Sequence, residues 1–407
     1  MDDKSLYQTV LGLQHPWRVE SVDLQLTEEQ VLVRVGLAPD GVLHCPVCDA
    51  VCAGYDQADE RRWRHLDTCQ YHTILVSQIP RVRCAEHGVK QVRVPWAEER
   101  GRFTMLFETW AIRVLQECSI DAAAALLRTS WDEMAGIQAR AVKRGMARRT
   151  TEPVRVLGVD ETSFQKHHQY VTVLIDIEQD RVVWVGDDRK QATLRRGLET
   201  LPLEQRANLK AIVMDMWDPY IAATRDAIPN WQDKLVIDRY HVMWHMSKAV
   251  DDVRIMERRG DPDIRALLKG TRFLWLRGRA TRKRKHSLAL NELLKAGLKV
   301  GRAWAIKESL TALWEYKTIR GALRFFKNWY GWAIRSRLEP VKRTARMIRY
   351  YLRSIVSFTE LRYTNARTEA MNAKIQEIKY RARGYRNRDN FRMAILFHCG
   401  RLDLNPR

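Results

Sequence analysis

The chain has 407 residues and a hydrophobic fraction of 45%, which allows two to four domains with a sizeable core and excludes a disordered chain. Its 70 Lys and Arg against 49 Asp and Glu give a formal charge of +21, so a polyanion, nucleic acid by default, is the expected partner. No apolar run approaches the ~20 residues of a membrane span, no secretory signal shows at Met1-Asp2-Asp3-Lys4, and seven cysteines are too few for a disulfide framework, which points to a reducing, intracellular setting.

Val19, Val22, Leu24 and Leu26, then Val31, Val33 and Val35, alternate as a hairpin with its turn at 27–30. Next comes Cys45-Pro46-Val47-Cys48, and, after a strand-like stretch from Tyr71 to Pro80, Cys84-Ala85-Glu86-His87. Two ligand pairs on tight knuckles suit one tetrahedral structural Zn²⁺ with sulfur and nitrogen donors. Cys52, Cys69, His44, His65 and His72 compete for the third and fourth places. Residues 103–147 then read as helices. Ser119 caps a short alanine-rich helix, and Ser130 with Glu133 forms a capping box that starts a longer one. Gln138, Arg140, Lys143 and Arg144 lie on the polar side of that longer helix. A short helix, a tight turn and a basic second helix make a helix-turn-helix pattern for DNA, and 148–153 reads as the linker that follows.

From Val154 the period changes. Strands are expected at 154–159, 170–177 and 181–185, a helix at 191–201, a strand at 209–214, a helix at 219–227 and a strand at 234–237. This order is that of a ribonuclease-H-like mixed sheet. Residues 242–360 read as an all-helical insertion before a helix that carries Glu369, because the stretch from Asp215 to Glu369 is too long for one loop. The expected divisions are 1–100 (β-rich zinc-binding module), 101–150 (helix-turn-helix), 151–241 (first part of an α/β catalytic core), 242–360 (insertion) and 361–407 (last helices and basic tail).

Asp160 and Asp215 each end an apolar run, where a buried strand would aim a carboxylate rigidly. With Glu369 they make a set suited to two Mg²⁺ (or Mn²⁺) ions about 4 Å apart, the arrangement that activates an oxygen nucleophile and stabilises the leaving oxygen at a phosphodiester. Asp160 would be the ligand shared by both ions. Glu161 and Asp176 compete with Asp160, and Glu360 and Glu377 with Glu369. Asp218 competes with Asp215 but is better read as the cap of the following helix. Glu369 is preferred because Asn365, Asn372 and Lys374 flank it, as in a helix facing a DNA backbone.

Gly158-Val159-Asp160-Glu161, Val213-Met214-Asp215-Met216-Trp217 and Thr364-Asn365-Ala366-Arg367-Thr368-Glu369-Ala370-Met371-Asn372 resemble the DDE transposases of bacterial insertion sequences, most closely the ISL3 group, along nearly the whole chain. Asp238-Arg239-Tyr240-His241 resembles that group's acid-x-x-His element, and Lys379, Arg381, Gly384, Tyr385 and Arg386 its basic final motif. The resemblance implies a catalytic triad of Asp160, Asp215 and Glu369. It also implies binding to the element's terminal inverted repeats, metal-dependent strand cleavage, and strand transfer to target DNA. A homodimer on paired ends and a bacterial, nucleoid-associated cytoplasmic setting go with it. Cys84 and His87 stand where two cysteines are more usual.

Basic stretches extend the expected DNA surface, since they neutralise phosphates. They include Arg282, Lys283, Arg284 and Lys285, with Phe273 and Trp275 nearby, and Lys374, Lys379, Arg381 and Arg386. Trp217, Tyr240 and His241 lie beside the acids, and the first two are placed to stack on unpaired bases. Two rival readings predict different behaviour. A zinc and helix-turn-helix regulator with an inert ribonuclease-H-like domain would bind without nicking. A structure-selective nuclease would cut without any need for a terminal repeat.

Overall fold

Alternating valines build the first sheet. In the computed structural model, which describes residues 2–149, 152–165, 169–278, 283–363 and 365–407, helix α1 (Asp3–Val10) precedes strands β1 (Trp17–Gln25), β2 (Gln30–Leu37), β3 (Leu43–His44), β4 (Val51–Arg64), β5 (His72–Cys84) and β6 (Gly88–Gln91). Their order is β1-β2-β5-β4-β3, with β6 also on β5. Val19, Val31, Val33 and Val35 point into a core closed by Trp17, Trp63 and Trp96, whose rings meet edge-on, with Trp96 4.9 Å from Trp17 and 5.5 Å from Trp63. β4 has no counterpart in the sequence reading, because its 14 residues are mostly exposed and polar and Trp63 alone is buried.

Helices α2 (Met105–Glu117), α3 (Ile120–Leu126) and α4 (Trp131–Arg148) follow. Ser119 caps α3, and the Ser130–Glu133 capping box starts α4. These elements form one compact unit, Met1–Thr150 with Leu402–Arg407, and Thr151–Arg401 forms another.

The second unit begins with β7 (Val156–Gln165), β8 (Gln169–Asp176) and β9 (Arg181–Gly186), followed by α5 (Gln191–Glu199), α6 (Leu203–Asn208), β10 (Ala211–Met214), α7 (Asp218–Ala227), α8 (Trp231–Lys234) and β11 (Leu235–Ile237). The five-stranded sheet runs β11-β10-β7-β8-β9. β8 is antiparallel to β7 and β9, whereas β10 is parallel to β7 and β11. The central strands are apolar on both faces, as strands covered on both sides must be.

Beyond β11 every element among the described residues is helical: α9 (Arg239–Arg258), α10 (Pro262–Leu268), α11 (Arg272–Leu276), α12 (Arg284–Lys295), α13 (Lys299–Leu310), a 3₁₀ turn (Thr311–Glu315), α14 (Ile319–Arg335), α15 (Glu339–Tyr350), α16 (Leu352–Val356), α17 (Phe358–Leu361), α18 (Ala366–Arg381) and α19 (Arg388–Cys399). One core joins Leu157, Ile212 and Ile237 of the sheet to Val250, Ile306, Trp329 and Ile348 of the helices. The inserted helices therefore fold with the sheet and form its continuation. Trp275 is wholly buried in this core, which removes it from the DNA surface expected of its basic neighbours. No helix among the described residues is long and apolar enough to cross a membrane.

Candidate active site and zinc centre

Parallel pairing sets the acid pair. Val159 of β7 is opposite Met214 of β10, so Asp160 and Asp215, the next residue on each chain, fall side by side, about 4.8 Å apart at the backbone. Burial first, and then the charge of Asp215, push the Asp160 carboxyl up to about 7. Asp160 also accepts the Glu161 backbone N–H at 2.7 Å. Asp238 caps α9 through the Tyr240 N–H, which aims His241 back at the sheet, with Nε2 2.8 Å from an Asp215 carboxylate oxygen. Burial works against a charged His241, yet its hydrogen bond to Asp215 and the charges of Asp215 and Asp238 raise it above its ordinary value.

Helix α18 crosses these strand ends. Gly158 makes the crossing close: a Cβ there would lie 2.6 Å from the Thr368 hydroxyl. At the helical period, residues 365, 369, 372 and 376 share one stripe. Asn365 donates to Asp215 at 3.4 Å, Asn372 donates to Asp160 at 2.5 Å, and Gln376 donates to Thr162. Glu369 lies between the two asparagines on this stripe, one turn from each, but its side chain is exposed. Among the described residues, no group of three acids is drawn together tightly enough to hold an ion. The structure thus joins two of the three expected acids and sets the third on the helix that bridges them. Asn365 and Asn372 face the acids, whereas the sequence reading had them facing a DNA backbone. Their carbonyl oxygens are buried without a hydrogen-bond partner. Two carboxylates and two unpartnered amide oxygens form a hard-oxygen donor set that fits Mg²⁺.

Most of the competing acids have partners of their own. Asp176 is buried against Arg181, Glu161 pairs with Arg189 and Glu377 with Arg381. Glu360 is exposed on α17. Asp218 accepts the Tyr351 hydroxyl and is the first residue of α7, with Trp217 at the cap position; this corrects its expected role as the cap.

The zinc ligands sit on two turns. Cys45 and Cys48 lie in the β3–β4 turn, Cys84 and His87 in the β5–β6 turn, where Gly88 takes the left-handed conformation with φ +67°. Pairing of β4 with β5 brings the turns together. The four ligand atoms lie within 4.8 Å of one another. Cys48 and Cys84 sulfurs are 3.7 Å apart, and Cys84 is 3.5 Å from His87 Nδ1. Tetrahedral zinc with Zn–S near 2.3 Å requires about 3.8 Å and about 3.5 Å for such pairs. Backbone N–H groups of His87 and Glu86 lower the Cys84 thiol to about 7, which favours the thiolate that binds metal. The rival ligands are placed otherwise: Cys52 donates to the Ala50 carbonyl, His65 is buried against Thr104, and His44 meets the Asp49 carbonyl.

The expected basic face of α4 is divided: Gln138 and Arg144 are turned inward, whereas Arg140 and Lys143 stay exposed. Glu108 of α2 is a buried carboxylate, and such a group needs cations. Arg140 and Arg144, one turn apart on α4, both reach it, and Arg144 also binds Glu98 and the Leu404 carbonyl. Gln138 is buried, and Lys143 is exposed.

A family model described as Transposase matches residues 157–395, one for the helix-turn-helix domain of transposase family ISL3 matches 92–142, and one for the zinc-finger of transposase IS204/IS1001/IS1096/IS1165 matches 42–87. The first alone spans more than half of the chain. The chain belongs to the ISL3 family of transposases. It is 27% identical over 359 residues to the transposase for insertion sequence element IS1001 of Bordetella parapertussis, covering 87% of this chain and 88% of the relative. It is 26% identical over 418 residues to that for IS1557 of Mycobacterium tuberculosis, covering 95% and 93%.

In this transposase the remaining basic positions divide by partner. Lys283, Arg284, Lys285, Lys374 and Arg386 are exposed, whereas Lys379 donates to the Ser163 carbonyl and Arg381 pairs with Glu377. Arg282 and Thr364 lie outside the described residues. Trp217 and Tyr240 keep 42% and 62% of their surface exposed. Arg189 went unnoticed in the sequence. Its guanidinium is 3.3 Å from Glu161 and stacks over Tyr170 and Trp217, at 4.6 and 5.5 Å from the ring centroids. No sequence spacing signals a residue that reaches the acids from the far side of a sheet edge.

Proposed function

We propose that this transposase acts on the ends of an insertion sequence through a ribonuclease-H-like catalytic core of the DDE type, with Asp160, Asp215 and Glu369 as the catalytic carboxylates. The observation that carries the reading is the register of Val159 with Met214, which sets Asp160 beside Asp215, together with the two asparagines that bind the helix of Glu369 to that pair. The strand order supports the fold assignment, three antiparallel strands followed by two parallel ones on the inner edge.

Asp160, Asp215 and Glu369 would hold two Mg²⁺ (or Mn²⁺) ions. When bound, these supply activation of an oxygen nucleophile and charge stabilisation at the scissile phosphate. The chain's own groups do the rest. Asp160 and Asp215 orient the nucleophile, first a water and then the freed 3′-hydroxyl, in line with the departing oxygen. His241 fixes the Asp215 carboxylate through one of its oxygens. Lys143 on α4, the exposed lysines of the insertion and Lys374 meet phosphates of the double-stranded terminal inverted repeats and of target DNA. Two ends must be held together for strand transfer, so the working form is at least a homodimer.

The test is strand cleavage on end-containing duplexes. Asp160→Asn, Asp215→Asn and Glu369→Gln are each expected to lose at least about a thousandfold in nicking while retaining end binding. Nicking by the wild type without Mg²⁺ or Mn²⁺, or full activity in any of the three variants, sinks the reading.

A further inference from the structure

A cavity of about 920 Å³ opens one residue beyond Asp215. On one side are Trp217 and Arg225, from the turn after β10 and from α7. On the other are Tyr350, Tyr351 and Arg353, at the junction of α15 and α16, with Trp231 of α8 between. The two sides are tied together: the Tyr351 hydroxyl donates to Asp218, and Arg353 pairs with Asp233. Trp217 is held as well, by the Arg189 guanidinium that Glu161 anchors.

The lining is unusual for a protein interior and equally unusual for a water-facing surface. Trp217 leaves 42% of its surface exposed and Tyr350 81%, so Arg189 on the one ring and Tyr351 on the other leave much of each open to a ligand. Flat aromatic faces beside guanidinium groups match a heterocyclic base joined to a phosphate. The volume lies within the range of about 300–1,000 Å³ that encloses a single small ligand. A nucleotide fits there, and a base-paired duplex does not. The position, directly after one of the two paired acids, puts that nucleotide next to the bond to be cut.

We infer that this cavity seats one unpaired nucleotide of the DNA end, drawn out of the duplex beside the acid centre, with its base on Trp217 and Tyr350 and its phosphate near Arg225 and Arg353. The inference takes its substrate from the strand-cleavage reading and adds a site to it. Extraction of a base costs unpairing and unstacking energy, which a mismatch supplies in advance. That difference can be measured by equilibrium binding alone.

The experiment uses the full-length protein without Mg²⁺ and duplexes carrying the element's end, with a single mismatch moved one position at a time across the element boundary. At one position the mismatch is expected to tighten binding about tenfold or more over the fully paired duplex. Trp217→Ala and Tyr350→Ala, both at exposed positions, are expected to lose that gain with unchanged melting temperatures, whereas Trp217→Phe retains it. Equal affinity for every mismatched duplex, or an undiminished gain in both alanine variants, overturns the site. The two readings fail separately. A protein that shows the mismatch preference but never nicks defeats the acid-centre reading and leaves the cavity standing. A protein that nicks normally with no mismatch preference defeats the cavity alone.

Discussion

The zinc cluster and the acid pair are both sets of side chains of a kind that binds cations, and they are assembled in opposite ways. In the ribbon, two hairpin turns of one sheet deliver four ligands, and all four atoms already lie within 4.8 Å of one another. In the second unit two acids meet through strand register, while the third stands on a separate helix with its side chain in solvent. The difference follows from charge. Two thiolates or more and an imidazole can be held close by backbone N–H donors such as those that lower Cys84. Three carboxylates repel, and burial together with the charge of Asp215 already lifts Asp160 to about 7. A closed, preassembled set suits a structural ion, and a set left open on one side suits an ion that must also bind substrate.

Emptying the zinc cluster should show how much of the first unit depends on it. Cys45→Ala removes a buried ligand, and structural zinc contributes about 10 kcal/mol or more in small domains. The variant is expected to lose zinc by elemental analysis, to lose protection of the β3–β6 region in hydrogen exchange, and to lose end binding. A zinc-free protein with unchanged exchange and binding would show that the four side chains are merely a packed cluster.

The acid pair should show its burial in the pH dependence of stability. An aspartate ordinarily titrates near 3.9, and Asp160 titrates at about 7 in the fold. The folded protein therefore keeps a proton that the unfolded chain has released, so the stability that Asp160 contributes is greatest below about pH 4, falls as pH rises to about 7, and is level above. Asp160→Asn abolishes that fall. In Mg²⁺-free buffer its advantage over the wild type should be about 1–2 kcal/mol at pH 5 and reach about 4 kcal/mol by pH 8, read as a melting-temperature difference of several degrees. A constant difference across that range would mean that Asp160 is not titrating as its surroundings imply.

Much of this contrast was legible in the sequence. The Cys-x-x-Cys knuckle is local, so its spacing marked it, whereas Cys84 and His87 still had rivals for the third and fourth places; the apolar runs before Asp160 and Asp215 gave both strands and the adjacency of their ends. The capping signals at Ser119 and Ser130 placed α3 and α4 within a residue. The failures share one cause, which is that partners distant in the chain leave no local mark. Arg140 and Arg144 have the spacing of an outward basic face, yet both reach Glu108 on another helix, and Arg144 is nearly buried there while Arg140 stays exposed. Asn365 and Asn372 read as a DNA-facing surface until the sheet beneath them is in place. β4 lacks apolar alternation because its neighbours cover little of it.

The asparagines sharpen the comparison further, since the zinc cluster needs no such bridge. Asn372→Ala removes the amide that binds Asp160 and an unpartnered carbonyl beside it. Groups of this kind, which orient a metal-binding carboxylate, are worth about 10–100-fold in metal affinity or activity. Nicking at subsaturating Mg²⁺ is expected to fall by that factor and to recover in part at high Mg²⁺. Asn372→Asp, which supplies an oxygen but adds a negative charge, should not substitute for it. An activity loss that high Mg²⁺ does not relieve would place Asn372 on the DNA instead.

The smallest effect tests whether the open arrangement is set by packing. At Gly158 β7 and α18 pack closely: a Cβ there would lie 2.6 Å from the Thr368 hydroxyl and 3.2 Å from Ile177. Gly158→Ala must therefore push the helix outward, at about 1–2 kcal/mol by analogy with other overpacked cores, and carry Asn365, Glu369 and Asn372 with it. Thr368→Ala in the same chain removes the obstructing atom. If α18 is seated by this contact, the double variant recovers stability and nicking relative to Gly158→Ala alone, and a double-variant cycle gives a favourable coupling. If the two effects simply add, the helix is held by its other contacts, the Arg367 bond to the Ile177 carbonyl and the Lys379 bond to the Ser163 carbonyl. The distance of Glu369 from the acid pair would then be fixed by its own side chain and not by the strand beneath it.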